Sequence, residues 1–237
     1  MIVLIISLAT ILTFVTWMLI DRAIIRVPLG ILSLLILAGS IWQLTDHFVN
    51  HTGMKITTKT STKTIYTAGD TSATYGVLIT KEIGTDSGNY VLVYRDKTTD
   101  TDSSAHFIPD TDNPVEASKV TTNYQLTDSK NATVTTVTKR YTWDSDLAEW
   151  LYGFAGEEGE VVSKTITAKV PEKTWLVLTD KQAEKLKTLI PQIQAKAKAQ
   201  AAANPTATAA LQALAKTNPE LYAEQQIKMI KSALNIK

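Results

Sequence analysis

The stretch MIVLIISLATILTFVTWMLI (Met1–Ile20), then DRAIIR (Asp21–Arg26), then VPLGILSLLILAGSIWQL (Val27–Leu44), decides the architecture. Neither apolar run holds a charged side chain. Twenty residues at the helical rise cover roughly 30 Å, the hydrocarbon thickness of a bilayer. Pro28 opens the second run, where a first helical turn tolerates it. The pattern therefore predicts two transmembrane helices joined by a short charged loop. Trp17 and Trp42 fall near the ends of the runs, where interfacial rings are expected. A cleaved signal peptide is the competing reading, since Ala38-Gly39-Ser40 looks like a small-residue cleavage site. Such a signal has one apolar core behind a basic start, whereas here Met1 leads directly into twenty apolar residues. The hairpin is the better reading.

An antiparallel hairpin sets Thr16 level with Gly30, and Ser7 level with Gly39 and Ser40. Small residues let helix backbones approach in a bilayer, where hydrophobicity gives helices no reason to associate. The alternative is that these residues are ordinary transmembrane composition. Orientation follows from Arg22 and Arg26, which sit tight against the apolar runs and favour a cytoplasmic loop with both chain ends outside. Lys55, Lys59 and Lys63 pull the other way from farther off. The expectation is a multi-pass cell-membrane protein with an extracytoplasmic domain.

Charge divides along the chain. Met1–Leu44 carries a net +1. Thr45–Thr179 has thirteen Lys and Arg against eighteen Asp and Glu, a net −5, and Asp180–Lys237 has nine against four, a net +5. There is no cysteine, which excludes disulfides, thiolate metal sites, a cysteine nucleophile and a lipid-modified Cys anchor.

Residues 45–178 read as strands. Polar residues alternate with apolar or β-branched ones in short runs, and the abundant threonine suits a half-exposed pleated surface. Tyr75–Ile79 pairs in prospect with Tyr90–Val93 and Tyr94 across Gly84–Asn89. Val120–Leu126 pairs with Thr133–Trp143 across Asp128–Asn131. A third candidate runs from Glu160 to Val170, followed by Trp175–Leu178. The expected domain is an antiparallel sandwich or barrel-like sheet. Residues 179–237 read as basic, Ala/Lys-rich helices. Thr179 and Gln182 form a candidate capping box, Pro191 predicts a kink, and Asn204-Pro205 and Asn218-Pro219 predict new helix starts. Ala223, Ile227, Ile230 and Leu234 share one face of the last helix. The fold class is thus a membrane α-hairpin plus α+β.

No constellation for catalysis emerges. His47 and His51, four apart beside Asp46, would place two ligands on one helical face, but a metal normally needs a third. His106 falls in an Asp-rich loop and reads as solvated. Asp100-x-Asp102-x-Ser104 starts like a calcium loop, yet Ala105 and Thr111 stand where glycine and glutamate are required. Gly153–Gly159 lacks the following helix that a phosphate loop needs. Trp150, Tyr152 and Phe154 form either a sugar-stacking patch or the plug of a small β core. Lys185 and Lys196, with their neighbours, are candidates for contact with anionic polymers, or simply solubilise an Ala-rich helix; a third option docks the +5 tail on the −5 middle. The expectation is a protein with no catalytic, cofactor or metal site.

Asp46-His47-Phe48, Gly53-Met54-Lys55 with its Thr/Lys run, and Pro-Glu-Lys-Thr-Trp-Leu-Val-Leu (Pro171–Leu178) make the chain resemble the family called domain of unknown function 4811. These are small membrane proteins of lactic-acid bacteria, and the likeness extends over essentially the full length. The family carries no assigned activity, so no site residue transfers. The resemblance implies an accessory role beside multidrug exporters of the major-facilitator type. The expected partners are the lipid bilayer, another membrane protein and anionic envelope polymers, with no nucleic acid. A cell-envelope polymer-binding module is the alternative function, and an enzyme the third.

Overall fold

The computed structural model describes residues 1–236. They divide into two units, one of residues 1–59 and 139–162, the other of residues 60–138 and 163–236. Each has its own packing logic.

In the first unit, α1 (Ile2–Met18) and α2 (Ala23–Asn50) form an antiparallel pair. α2 is long and apolar enough to cross a membrane by length and composition, whereas α1, at 17 residues, is a shorter apolar helix. The sequence expectation of two spanning helices is therefore met in length by one. The buried positions explain how the pair closes. They are Ile2, Ala9 and Thr16 on α1, and Gly30, Ser33, Ser40 and His47 on α2. Ile2, Ala9 and Thr16 are seven apart, as are Ser33, Ser40 and His47, which is the period of a seam between closely aligned helices. Thr16 Oγ1 lies 3.2 Å from Ser33 Oγ. That contact sets the register, with Ala9 level with Ser40 and Ile2 level with His47.

The register differs by three residues from the one the sequence suggested. Ser7 turns outward and bonds its own helix at Val3 O, 2.8 Å away. Gly39 also faces out, and a Cβ there would meet nothing. Gly30 is a close-contact position, but against the Trp17 ring, 2.6 Å from where its Cβ would stand. Ser40 lies in the seam. Around it, the outer surface is almost wholly apolar and uncovered, including Leu4, Leu8, Ile11, Phe14, Leu35 and Ile41.

The second unit is layered. One sheet has the order β4-β3-β2-β8, from β2 (Gly76–Glu82), β3 (Tyr90–Tyr94), β4 (Ser104–His106) and β8 (Trp175–Thr179). β2 pairs antiparallel with β3, as expected from the sequence, Ile79 opposite Val93. It also pairs parallel with β8, Val77 opposite Leu176. Alternation along these strands buries both faces. Leu78, Leu92 and Tyr94 face a core shared with Ile166, Ala168 and Val170 of β7 (Val161–Pro171). Val77, Leu176 and Leu178 face a second core with α5 (Asp180–Ala203) and α7 (Pro219–Leu234).

The other sheet has the order β1-β6-β7-β5, adding β1 (Met54–Thr64), β5 (Val120–Thr127) and β6 (Thr133–Trp143). The expected β5–β6 hairpin does not form. β5 instead lies parallel to β7 from Val120↔Lys164 to Thr127↔Pro171. Its loop, Asp128–Asn131, lacks the glycine that a tight primed turn favours, so nothing local holds the two strands together. β7 and β8 also separate, one into each sheet. The sheets are mixed rather than antiparallel, and neither closes into a barrel. β1 is an edge strand whose exposed Lys and Thr side chains discourage pairing with another chain.

Local signals in the tail hold. Thr179 and Gln182 make a reciprocal capping box. Asn204 caps α6 (Pro205–Thr217) and Asn218 caps α7, each accepting from a backbone N–H at 3.1 Å. α5 continues through Pro191 as one element. Ala223, Ile227, Ile230 and Leu234 form the buried face of α7.

The seam yields a direct comparison. Ser33→Leu overpacks it and should destabilise the protein by about 1–3 kcal/mol. Gly39→Leu faces open space and should stay within about 0.5 kcal/mol of the parent. Chemical unfolding of the two variants in one detergent measures the difference; equal losses would refute this register.

Candidate functional site

Two polar clusters stand out, one in each unit. The first begins where α2 ends. His51 adopts the left-handed conformation (φ 52°) and stops the helix. The chain then turns back so that the Thr52 carbonyl accepts from His47 Nδ1 at 2.8 Å. Since a carbonyl can only accept, Nδ1 carries a proton. Gly53 (φ +91°) completes the turn, and a Cβ there would crowd Ala148 Cβ at 3.0 Å. His47 is fully buried. Tyr152 stacks on its ring at a 4.0 Å centroid distance and 9°, and Trp143 flanks it at 5.9 Å. Glu157 Oε2 lies 2.9 Å from Nε2, but off the ring N–H direction. The pair is a close polar contact, not an aligned hydrogen bond.

Two helices carry the box. α4 (Asp146–Tyr152) is capped by Ser145, whose hydroxyl accepts from Ala148 N, and a 3₁₀ turn (Gly153–Ala155) follows. The Met1 amino group donates to the carbonyls of Trp150 and Leu151 at 2.9 and 2.6 Å. Thus the aromatic trio divides. Tyr152 is buried against His47, whereas Trp150 and Phe154 are 55% and 54% exposed. His51 does not join His47; it stacks on Tyr141 at 4.2 Å. Among the described residues, no three His, Cys, Asp or Glu gather as metal ligands would.

The second cluster lies on β1, β3 and β4. Lys63 Nζ bonds Asp96 Oδ1 at 2.6 Å, and His106 Nε2 stands 3.7 Å from Asp96 Oδ2. His106 stacks on Tyr94 at 3.9 Å and 10°. His106 is therefore half-buried on a strand, not solvated in a loop as its Asp-rich context suggested. Ser104 Oγ approaches the same nitrogen, Nε2, at 3.0 Å. A nucleophile relay needs serine and carboxylate on opposite ring nitrogens, so this trio is not one. The Tyr94 hydroxyl is buried without an aligned partner.

The charges in this cluster are mutually tuned. Burial pushes the His106 imidazolium down, assisted by Lys63 and opposed by Asp96. The Lys63 hydrogen bond holds the Asp96 carboxyl below its usual range, against a smaller effect of burial. Burial disfavours the Lys63 ammonium, yet the bond to Asp96 and the neighbouring Tyr94 together raise it. Burial raises Tyr94.

The remaining sequence candidates are dispersed. Arg22 is the exposed N-cap of α2, and Arg26 is half-buried in its first turns. Lys185 and Lys196 are exposed on α5. An open cleft of about 630 Å³ lies among the loops near Asp128, Lys130, Glu172, Lys173 and Pro219, with both charge signs mixed. Sequence reading missed Glu157, Trp143, Asp96, Tyr94 and Lys63 as cluster members. The Asp46-His47 string beside an apolar run was the only local signal.

Fold and sites together define an α+β protein with, among the described residues, one helix long and apolar enough to span a bilayer. The chain belongs to the family described as domain of unknown function (DUF4811), whose model matches residues 22–186. That match takes in α2 and both polar clusters and stops within α5, so it is shorter than the full-length likeness expected from the sequence. No curated protein and no solved structure matches the chain.

His106 gives a pH test with a defined sign. Its folded-state pKa lies below the ordinary 6.5, so the unfolded chain takes up the proton first as pH falls. Stability should therefore drop on acidification below that value. The Asp96 contribution is lost only at lower pH, beneath its ordinary 3.8. His106→Phe keeps a ring on Tyr94 and removes the titration. Thermal unfolding between about pH 7.5 and 5 should show a shallower decline for this variant; parallel profiles would contradict the assignment.

Proposed function

We propose that this is a membrane-anchored, non-enzymatic accessory or scaffold protein whose α1–α2 hairpin crosses the bilayer and contacts another membrane protein. The observation that carries the reading is the hairpin surface. Its polar hydroxyls are turned into the seam or bonded to their own helix, while its outer residues are apolar and uncovered. Such a surface needs lipid or protein around it. α1 alone covers about 26 Å, and Met1, Leu19 and Ile20 extend the apolar length toward the roughly 30 Å needed. Arg22 and Arg26 at the turn favour a cytoplasmic loop, with the β-rich part outside. The partner proposed is a multidrug exporter, on the strength of the family resemblance alone.

The alternative, an envelope-polymer-binding module, draws on exposed Trp150 and Phe154 and on Lys185 and Lys196. With Tyr152 turned inward, two rings remain for stacking. The scaffold reading uses more of the molecule.

Because the chain has no cysteine, single cysteines report topology cleanly. Lys59→Cys should react with a membrane-impermeant maleimide added to intact cells, and Asp21→Cys only after permeabilisation. The reverse pattern would invert the orientation, and equal labelling of both in intact cells would remove the double crossing. Crosslinking and pull-down from native membranes should then recover one reproducible membrane protein. Recovery of the chain alone would count against the scaffold.

A further inference from the structure

We propose that α4 and its following 3₁₀ turn form a foot that inserts into the membrane interface beside the hairpin, through Leu147, Trp150 and Phe154. This rests on the reading of the hairpin as membrane-embedded. The three side chains stand at i, i+3 and i+7, one face of a helical segment. They are 64%, 55% and 54% exposed. The opposite face is already occupied, with Ala148 and Tyr152 buried and Leu151 packed in the cluster that includes Ile2, Ile5, Ile6 and Leu44. The segment is apolar on both sides. Internal packing accounts for only one of them.

Position identifies the occupant. The Met1 amino group holds the Trp150 and Leu151 carbonyls, so α4 lies at the open end of the hairpin, where α1 begins. On the other helix, Phe48 meets Phe154 edge to face at 6.5 Å. Phe48 and Val49 are themselves exposed, as are Trp42 and Leu4. The foot thus continues the uncovered apolar surface of the hairpin at the level where its hydrocarbon-spanning run ends. Tryptophan is favoured there, with its ring in the acyl boundary and its indole N–H among headgroups.

Charge selects the lipid chemistry. From Tyr141 to Ser163 there is no Lys or Arg, while Asp146, Glu149, Glu157 and Glu158 are present. The Met1 ammonium is the one cation placed on the segment and those carboxylates outnumber it, so insertion depends on apolar burial into a zwitterionic surface.

The test uses full-length protein in phosphatidylcholine vesicles, with spin labels at Leu147→Cys or Trp150→Cys. Leu35→Cys reports the hairpin, and Lys59→Cys, on the exposed strand β1, reports water. The ratio of collision with oxygen to collision with a water-soluble nickel chelate measures depth. Labels at 147 and 150 should lie between the two references and well above Lys59→Cys. Lipid-buried Leu35 with labels at both 147 and 150 matching Lys59 would overturn the foot while leaving the hairpin intact, and would return these rings to solvent for polymer contact. A water-exposed Leu35 label would overturn the hairpin reading and the foot with it. Using two foot positions guards against loss of the Trp150 ring itself.

Discussion

The contact between Thr16 and Ser33 sets the register on which the first unit depends. Two apolar helices offer no preferred alignment by hydrophobicity, since every outward face is equivalent. Alignment comes instead from where small and hydroxyl-bearing residues allow backbones to approach. Fixing Thr16 against Ser33 brings His47 level with Ile2 through a repeat of sevens. That is the level at which Tyr152 and Trp143 close around the imidazole. A seam three residues out of step would bring a different residue to that level.

The seam achieves this at low cost. Thr16 Oγ1 bonds Thr13 O at 3.0 Å, Ser33 Oγ bonds Gly30 O at 2.9 Å, and Ser40 Oγ bonds Ile36 O at 2.8 Å. Each hydroxyl is satisfied within its own helix before it meets the other. With its one proton donated within its own helix, neither hydroxyl has one left to give across the seam, so the 3.2 Å contact serves alignment more than stability. His47 is more demanding. A buried imidazole without partners would carry its full desolvation cost, and here Nδ1 donates to the Thr52 carbonyl while Tyr152 stacks on the ring.

What the sequence made legible was local. The β2–β3 pairing, the Thr179 capping box, the Asn-Pro helix starts and the buried face of α7 all depend on residues close in the chain. Partner choice between distant strands was not legible. Alternation marks β5 and β7 as strands but says nothing of their parallel alignment, which is chosen by the cores on which their faces pack. The His47 cluster was hidden for the same reason: Trp143, Tyr152 and Glu157 lie about a hundred residues downstream. The hairpin register failed more subtly. Matching small residues by level ignored which side of each helix they occupy, and Ser7 and Gly39 point away from the seam.

Charge suggested that a +5 tail docks on a −5 middle; packing gives another account. α5 and α7 meet β2 and β8 through Ala183, Leu186, Ile227, Ile230 and Leu234 against Val77, Leu176 and Leu178. Burying a leucine or isoleucine contributes about 1.5–3 kcal/mol, against roughly 0–1 kcal/mol for an exposed ion pair. Lys228 pairs within its own helix, with Glu224, and so does not tie the tail to the sheet. The tail is held by its apolar face, which leaves Lys185 and Lys196 pointing outward.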